Sequence, residues 1–250
     1  MQKLGTPNKI FEIDDWIGML LVFLIGSLWC FSLAILLTIS VSNISWFWLV
    51  FSILGRTYLH TGLFILAHDS MHGNLIPCSR SLNNIIGRFA VGIYAFLPYD
   101  HCFINHHHHH RYSAQIGDPD FHGSISHPIF WYVKFIREYL PMRSLITFLI
   151  KMSFIIAGLT IIFNIPLINI ILFWLLPLIL SSSQLFFFGT YLPHRQTLNN
   201  SNFSPRLNNN LYSILWSLIS CYNFGHYHWE HHEYPQLPWY RLHTVHRASY

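Results

Sequence analysis

Eighteen of the 250 residues are histidine, and most of them fall into three short motifs. His68 and His72 stand in H-D-S-M-H, and His228, His231 and His232 stand in H-W-E-H-H. Between them, residues 105–111 read N-H-H-H-H-H-R, an internal run where an expression tag would be terminal. Read as H-x-x-H-H, the run supplies His106, His109 and His110. Side chains at i, i+3 and i+4 share one face of a helix, so His107 and His108 point away from it. Neutral imidazole suits iron, zinc, copper or nickel. These eight histidines, with His194 as a ninth and His226 as its competitor, exceed the roughly four ligands of one tetrahedral zinc. They suit two ions that keep positions open for dioxygen. A zinc protease would show H-E-x-x-H with Glu as base; here Asp69 stands in the place of that Glu. A metal-bound imidazole needs an acceptor for its other nitrogen, and carboxylates are scarce near the motifs. Asp69 and Asp118 are the candidate catalytic carboxylates. Asp120, Glu230 and His122 are the candidates for groups that sit behind the ligands and orient them.

The rest of the chain must bring these motifs together. Hydrophobic residues make up 52% and charged residues 10%, with a mean hydropathy of +0.37. Charged residues usually make up about a quarter of a chain, so this composition belongs to a membrane protein. Residues 16–55 contain no Asp, Glu, Lys or Arg, and neither do residues 152–193. Each stretch is about twice the roughly 20 residues needed to cross a bilayer, so each predicts a helical hairpin. The expected spans are 16–41, 46–66, 144–163 and 167–189, with a kink at Pro177. The fold class is therefore all-α: one membrane-embedded domain over residues 1–250, with two transmembrane hairpins and a histidine-rich helical cap. Residues 89–96 and 211–224 are apolar but too short to span, and 128–140 reads as an amphipathic interfacial helix.

Charge predicts the orientation. The turns at 42–45 and 164–166 carry no charge, and nearly all Lys and Arg lie on the other side. The positive-inside rule then places both termini and all three motifs in the cytoplasm. Arg56 and His60 fall inside the second span, where ionisable groups face protein interior; pairing with backbone carbonyls is the expected role of Arg56, and a hydrogen-bonded core position that of His60. Lys151 can snorkel to the surface. A metal carrier or sensor would want ionisable or thiol ligands along a path through the spans, and beyond these three the spans hold only the lone thiol of Cys30. The four cysteines form no C-x-x-C, which excludes a zinc ribbon or thioredoxin motif. The net charge of +4 calls for no nucleic acid. The polar first fifteen residues predict no secretory leader.

These residues resemble the membrane-bound histidine-box di-iron oxygenases and desaturases, and within them the carotene ketolases of the bacterial and cyanobacterial type. The resemblance rests on A-H-D-S-M-H-G at 67–73, N-H…H-R-Y at 105–112 and D-P-D-F-H at 118–122. It continues through F-G-T-Y-L-P-H at 188–194 and Y-H-W-E-H-H-E-Y-P at 227–235. The histidine motifs alone are shared with fatty-acid desaturases, sterol oxidases and alkane hydroxylases; the words between them are more specific. The resemblance implies two non-haem irons held by His68, His72, His106, His109, His110, His194, His228, His231 and His232, with dioxygen as co-substrate. It implies two hydroxylations at C4 of a β-ionone ring, giving a gem-diol that loses water to a ketone, so that β-carotene becomes echinenone and canthaxanthin. A carotenoid hydroxylase or a fatty-acyl desaturase is the alternative on the same scaffold. A ferredoxin-like protein is the implied electron donor, since the chain has no Gly-rich nucleotide fingerprint.

Overall fold

The protein was analysed as a computed structural model that describes residues 8–121, 123, 127–195 and 212–246, with backbone only at 8–12 and 212–215. His122, residues 124–126, residues 196–211 and the two extreme ends lie outside the described residues. The described residues are helical, with no strand among them.

The first hairpin is α1 (Asn8–Thr38) and α2 (Trp46–His72), joined through a tight turn at Val41–Asn43. The second is α6 (Met142–Ile161) and α7 (Leu167–His194). Between them come α3 (Arg80–Ala95), α4 (Tyr99–Tyr112) and α5 (Pro128–Tyr139), and after them the short α8 (Tyr212–Ile219), α9 (His228–Glu233) and α10 (Leu242–His246). Among the described residues, four helices are long and apolar enough to cross a membrane: α1, α2, α6 and α7. Their outer faces leave Trp16, Phe23, Trp46 and Phe154 exposed. A continuous belt of that kind is tolerated in lipid, not in water. The chain is an integral membrane protein.

Two spans run further than the sequence predicted. α2 does not stop near residue 66 but continues through the first histidine motif, because nothing in A-H-D-S-M-H breaks a helix. It ends only at Gly73, which takes the left-handed φ of 81° that closes the last turn. Likewise α7 continues past 189 to His194. The third span starts and ends slightly earlier, at Met142 and Ile161. Residues 89–95 are no separate element; they form the second half of α3, whose Ala90, Val91 and Tyr94 are buried, and Phe96 closes it.

The spans are locked by polar groups that the bilayer would not forgive if unpaired. Pro177 has no N–H, so the carbonyl four residues earlier, Phe173, loses its helical donor. Arg56 supplies one: its Nε donates to Phe173 O at 3.1 Å, while its Nη1 donates to Trp29 O at 2.6 Å and Ser32 Oγ at 2.9 Å. Here α7 widens into a π turn at Ile171–Leu175. Asn169 on α7 caps α1, its Nδ2 lying 2.7–3.1 Å from the last carbonyls at Leu36, Leu37 and Ile39. His60 is a satisfied core histidine: its Nδ1 accepts from Trp29 Nε1 at 3.0 Å, and its Nε2 donates to Tyr94 O at 2.9 Å.

Both hairpins return to one face. There Asp14 of α1 accepts from Tyr240 Oη and Arg241 Nε, each at 2.8 Å, and Asp15 accepts from the Cys78 N–H at 3.0 Å. The start of α1, the loop after α2 and the segment after α9 therefore meet on one side. Gly18 permits this contact, because a Cβ there would lie 1.6 Å from Leu75 O.

Candidate metal centre

Four helix ends aim imidazoles at one buried space. α2 contributes His68 and His72 on its last turns, and α4 contributes His106, His109 and His110. α7 ends on His194, and α9 carries His228, His231 and His232. Within α4 the helical period sorts the run of five. His106 and His109 are buried and His110 is half-buried, whereas His107 and His108 are exposed. His107 stacks on Phe103 at 4.1 Å, away from the centre. The end of α7 winds as a π turn over Leu185–Tyr191, which turns the following residues by about one helical position and aims His194 inward.

The nine histidines form two groups. His68, His72, His106, His110 and His231 make one; His109, His194, His228 and His232 make the other. In each, the ligand atoms lie within 4.8 Å of one another. The Nε2 atoms face each other in pairs: His72 with His106 at 2.6 Å, and His110 with His231, His109 with His232 and His194 with His228, each at 3.0 Å. Neutral rings can share one proton per pair, but four or five nitrogens converging on one point leave lone pairs that a cation would satisfy. The groups abut, with the rings of His110 and His232 stacked at 4.3 Å. α4 and α9 serve both groups, α2 only the first and α7 only the second. His226, the alternative ninth residue, belongs to neither group; its ring packs against Tyr227 and His246.

Electrostatics favours neutral donors. Burial first, then the neighbouring imidazoles, holds His106, His228, His231 and His232 well below the ordinary imidazole pKa, and His110 is pushed down to about 3. A ring that stays unprotonated keeps its lone pair for a metal. His109 departs from this. Burial opposes its protonation, but the carboxylates of Asp120 and Asp118 outweigh burial and raise its pKa.

The carboxylates lie mainly behind the rings. Asp118 Oδ1 accepts from His109 Nδ1 at 2.9 Å and from the Asp120 N–H at 2.8 Å, while Oδ2 accepts from the Ala114 N–H at 2.8 Å. Asp69 Oδ1 lies 3.3 Å from His68 Nδ1, and its Oδ2 accepts from the Trp239 N–H at 3.1 Å. Neither Asp69 nor Asp118 lines the cavity beside the histidines. Glu230 differs from expectation: its carboxylate pairs with His246 of α10, outside both groups. Sequence reading passed over His246, whose only signal was its place in a basic aromatic tail.

α9 is held in place by a strained turn. Cys221, Tyr222 and Asn223 all have positive φ, at 65°, 52° and 74°. Each such non-glycine residue costs on the order of 1–2 kcal/mol. Tyr222 offsets this by stacking on Tyr58 at 4.3 Å and donating to Tyr58 O at 3.1 Å, and Asn223 Nδ2 donates to Trp239 O at 3.1 Å.

Above the histidines is a small cavity bounded by Phe64, Phe135, Tyr139, Leu185, Gly189 and Phe224, with Asp120 and Thr190 on its wall. Phe64, Phe135, Tyr139 and Leu185 also border a second, apolar cavity of about 490 Å³ that runs between α3, α5, α6 and α7.

The chain matches the fatty acid desaturase family over residues 43–250. It is 38% identical to a beta-carotene ketolase of a Paracoccus strain, across 76% of this chain and 75% of that protein. A beta-carotene ketolase of a second Paracoccus strain is 36% identical across 77% of each. A zeaxanthin 4-ketolase of Chlamydomonas reinhardtii is 30% identical across 86% of this chain and 48% of that protein. No solved structure matches the chain.

Proposed function

The chain belongs to the fatty acid desaturase family, and from that premise we propose that it is a β-carotene 4-ketolase, an oxidoreductase that turns the C4 methylene of a β-ionone ring into a ketone. The observation that carries this reading is that two clusters of buried imidazoles line a small cavity that shares Phe64, Phe135, Tyr139 and Leu185 with an apolar cavity of about 490 Å³.

The donor set suits two irons. His68, His72, His106, His110 and His231 would hold one, and His109, His194, His228 and His232 the other. When bound, such a pair supplies the activation of dioxygen needed to oxidise an unactivated C–H bond, with electrons from a ferredoxin-like carrier. Asp118 and Asp69 hold the rings of His109 and His68 in the tautomer that leaves Nε2 free. The aromatic neck at Phe64, Phe135 and Tyr139 admits a flat ring and excludes bulk water. The apolar walls of the larger cavity desolvate the polyene, whose transfer from lipid costs little. Residues 1–250 form one catalytic unit. The cluster of Lys and Arg on the histidine side supports an orientation with both termini and the active site in the cytoplasm.

The test is twofold. Purified protein should carry about two irons per chain, and cells that make β-carotene should accumulate 4-keto rings when they express it. A single zinc, no metal, or a 3-hydroxy product would refute the reading. Labelling cysteines placed in the 42–45 turn, from outside intact cells, tests the orientation.

A further inference from the structure

Asp120 is the one carboxylate that reaches the cavity, where it meets His68, His106, His109, His228, His231 and His232. It is 6% exposed. One oxygen is employed: Oδ2 accepts from Thr190 Oγ1 at 3.2 Å and lies 3.8 Å from His109 Nδ1. Tyr139, at the neck, also leans its hydroxyl toward the carboxylate. Oδ1 is buried without a hydrogen bond of ordinary length. A buried acceptor left in that state is unfavourable unless something fills it. The other residues of this wall facing the apolar cavity are Phe64, Phe135 and Leu185, which cannot fill it.

The ketolase reading requires the same carbon to react twice. In each round one C–H bond becomes C–O–H, consuming one dioxygen, two electrons from the carrier and two protons, and releasing one water; the resulting gem-diol then loses water to the ketone. After the first round the product is an alcohol, more polar than the substrate and free to leave. We propose that Asp120 Oδ1 accepts a hydrogen bond from that new hydroxyl and keeps the half-oxidised ring over the histidines for the second round. This rests on the ketolase reading and adds what separates a ketone-forming site from an alcohol-forming one. The parent ring has nothing for Oδ1 to bind; the alcohol has a donor. A hydrogen bond to a charged acceptor is strong enough to favour the alcohol by about tenfold. The hydroxyl of Thr190 fixes the carboxylate's orientation through Oδ2.

The experiment compares wild type with Asp120→Leu and Asp120→Asn. The products are read as the ratio of 4-hydroxy to 4-keto rings, and binding of the 4-hydroxy and parent polyenes to metal-free protein is read from the polyene absorption shift. The expected result is a rise of about tenfold in the alcohol-to-ketone ratio for Asp120→Leu. The preference of metal-free protein for the alcohol should be lost in Asp120→Leu and reduced to about threefold in Asp120→Asn, whose neutral amide oxygen still accepts but more weakly. An unchanged ratio, an equal loss of both products, or equal binding of the two polyenes by wild type overturns the proposal. Failure of the underlying reading would look different: the wild type itself would form no 4-oxygenated ring.

Discussion

Replacing Asp118 by Asn should weaken one metal site and spare the other. The carboxylate accepts three hydrogen bonds, from His109 Nδ1, the Asp120 N–H and the Ala114 N–H, all between 2.8 and 2.9 Å. An amide has one acceptor oxygen. If that oxygen serves His109 and Asp120, the NH2 group meets the Ala114 N–H, and a half-buried donor loses its partner. That costs about 1–3 kcal/mol of stability. The bond to His109 also changes from charge-assisted to neutral, which roughly halves its strength. Loss of such a partner behind a ligand lowers metal affinity about 10–100-fold, or about 1.4–2.8 kcal/mol. Because His109 belongs to the group with His194, His228 and His232, the loss should fall on that site alone. The assay is anaerobic titration of metal-free protein with ferrous ion. Two phases are expected, only one of them shifted in Asp118→Asn. Asp100→Asn is the control, since Asp100 sits in an exposed ion pair with Arg88. Unchanged affinity at both sites would refute the assignment of Asp118 as the support of His109.

Four further outcomes follow from the same geometry. Ala at His106, His109 or His110 should abolish activity and bound iron, while Ala at His107 or His108 should leave most of both; loss at all five would undo the choice of ligands. The Arg56–Pro177 relation should show as a double-mutant cycle, because Pro177→Ala restores an N–H for Phe173 O. Arg56→Met should cost about 1–2 kcal/mol less in that background, measured by unfolding in detergent, and simple additivity would contradict it. In metal-free protein, His109 has a pKa raised above its ordinary 6.5, so its contribution is full below that value and is lost as pH rises through the raised value. The rings of His106, His228, His231 and His232 have lowered values and cost stability as pH falls below 6.5. Thermal unfolding midpoints should therefore peak near neutrality, and an alkaline limb that persists unchanged in Asp118→Asn would count against the pairing. Finally, Leu185→Trp, at the neck shared by both cavities, should raise KM for the polyene with iron content intact; an unchanged KM would place the substrate path elsewhere.

Much of the site is legible along the chain because imidazoles on a helix obey a fixed period. The i, i+3, i+4 pattern alone separated His106, His109 and His110 from His107 and His108, and the structure turns those rings inward and outward accordingly. The role of Arg56 was readable in kind, since an arginine in lipid must find carbonyls; that the carbonyl is the one stripped of its donor by Pro177 was not. Asn169 gave no sign at all, because a lone amide in an apolar run looks the same whether or not it caps a neighbour 130 residues away. Glu230 misled, because proximity in sequence to His228 and His231 says nothing about which way a carboxylate turns on a short helix.

By itself, then, the sequence determined the two hairpins, their return to one side and the chemistry of the histidine motifs. These depend on local period and on hydrophobic length, which any helix crossing a bilayer must satisfy. The division of nine rings into a group of five and a group of four was decided only by tertiary structure. So were the turning of Asp69 and Asp118 behind the rings while Asp120 faces the cavity, and the joining of that cavity to an apolar one. Those features arise where four helix ends from distant parts of the chain meet, and the angle at which helices meet is set by packing, not by any one segment.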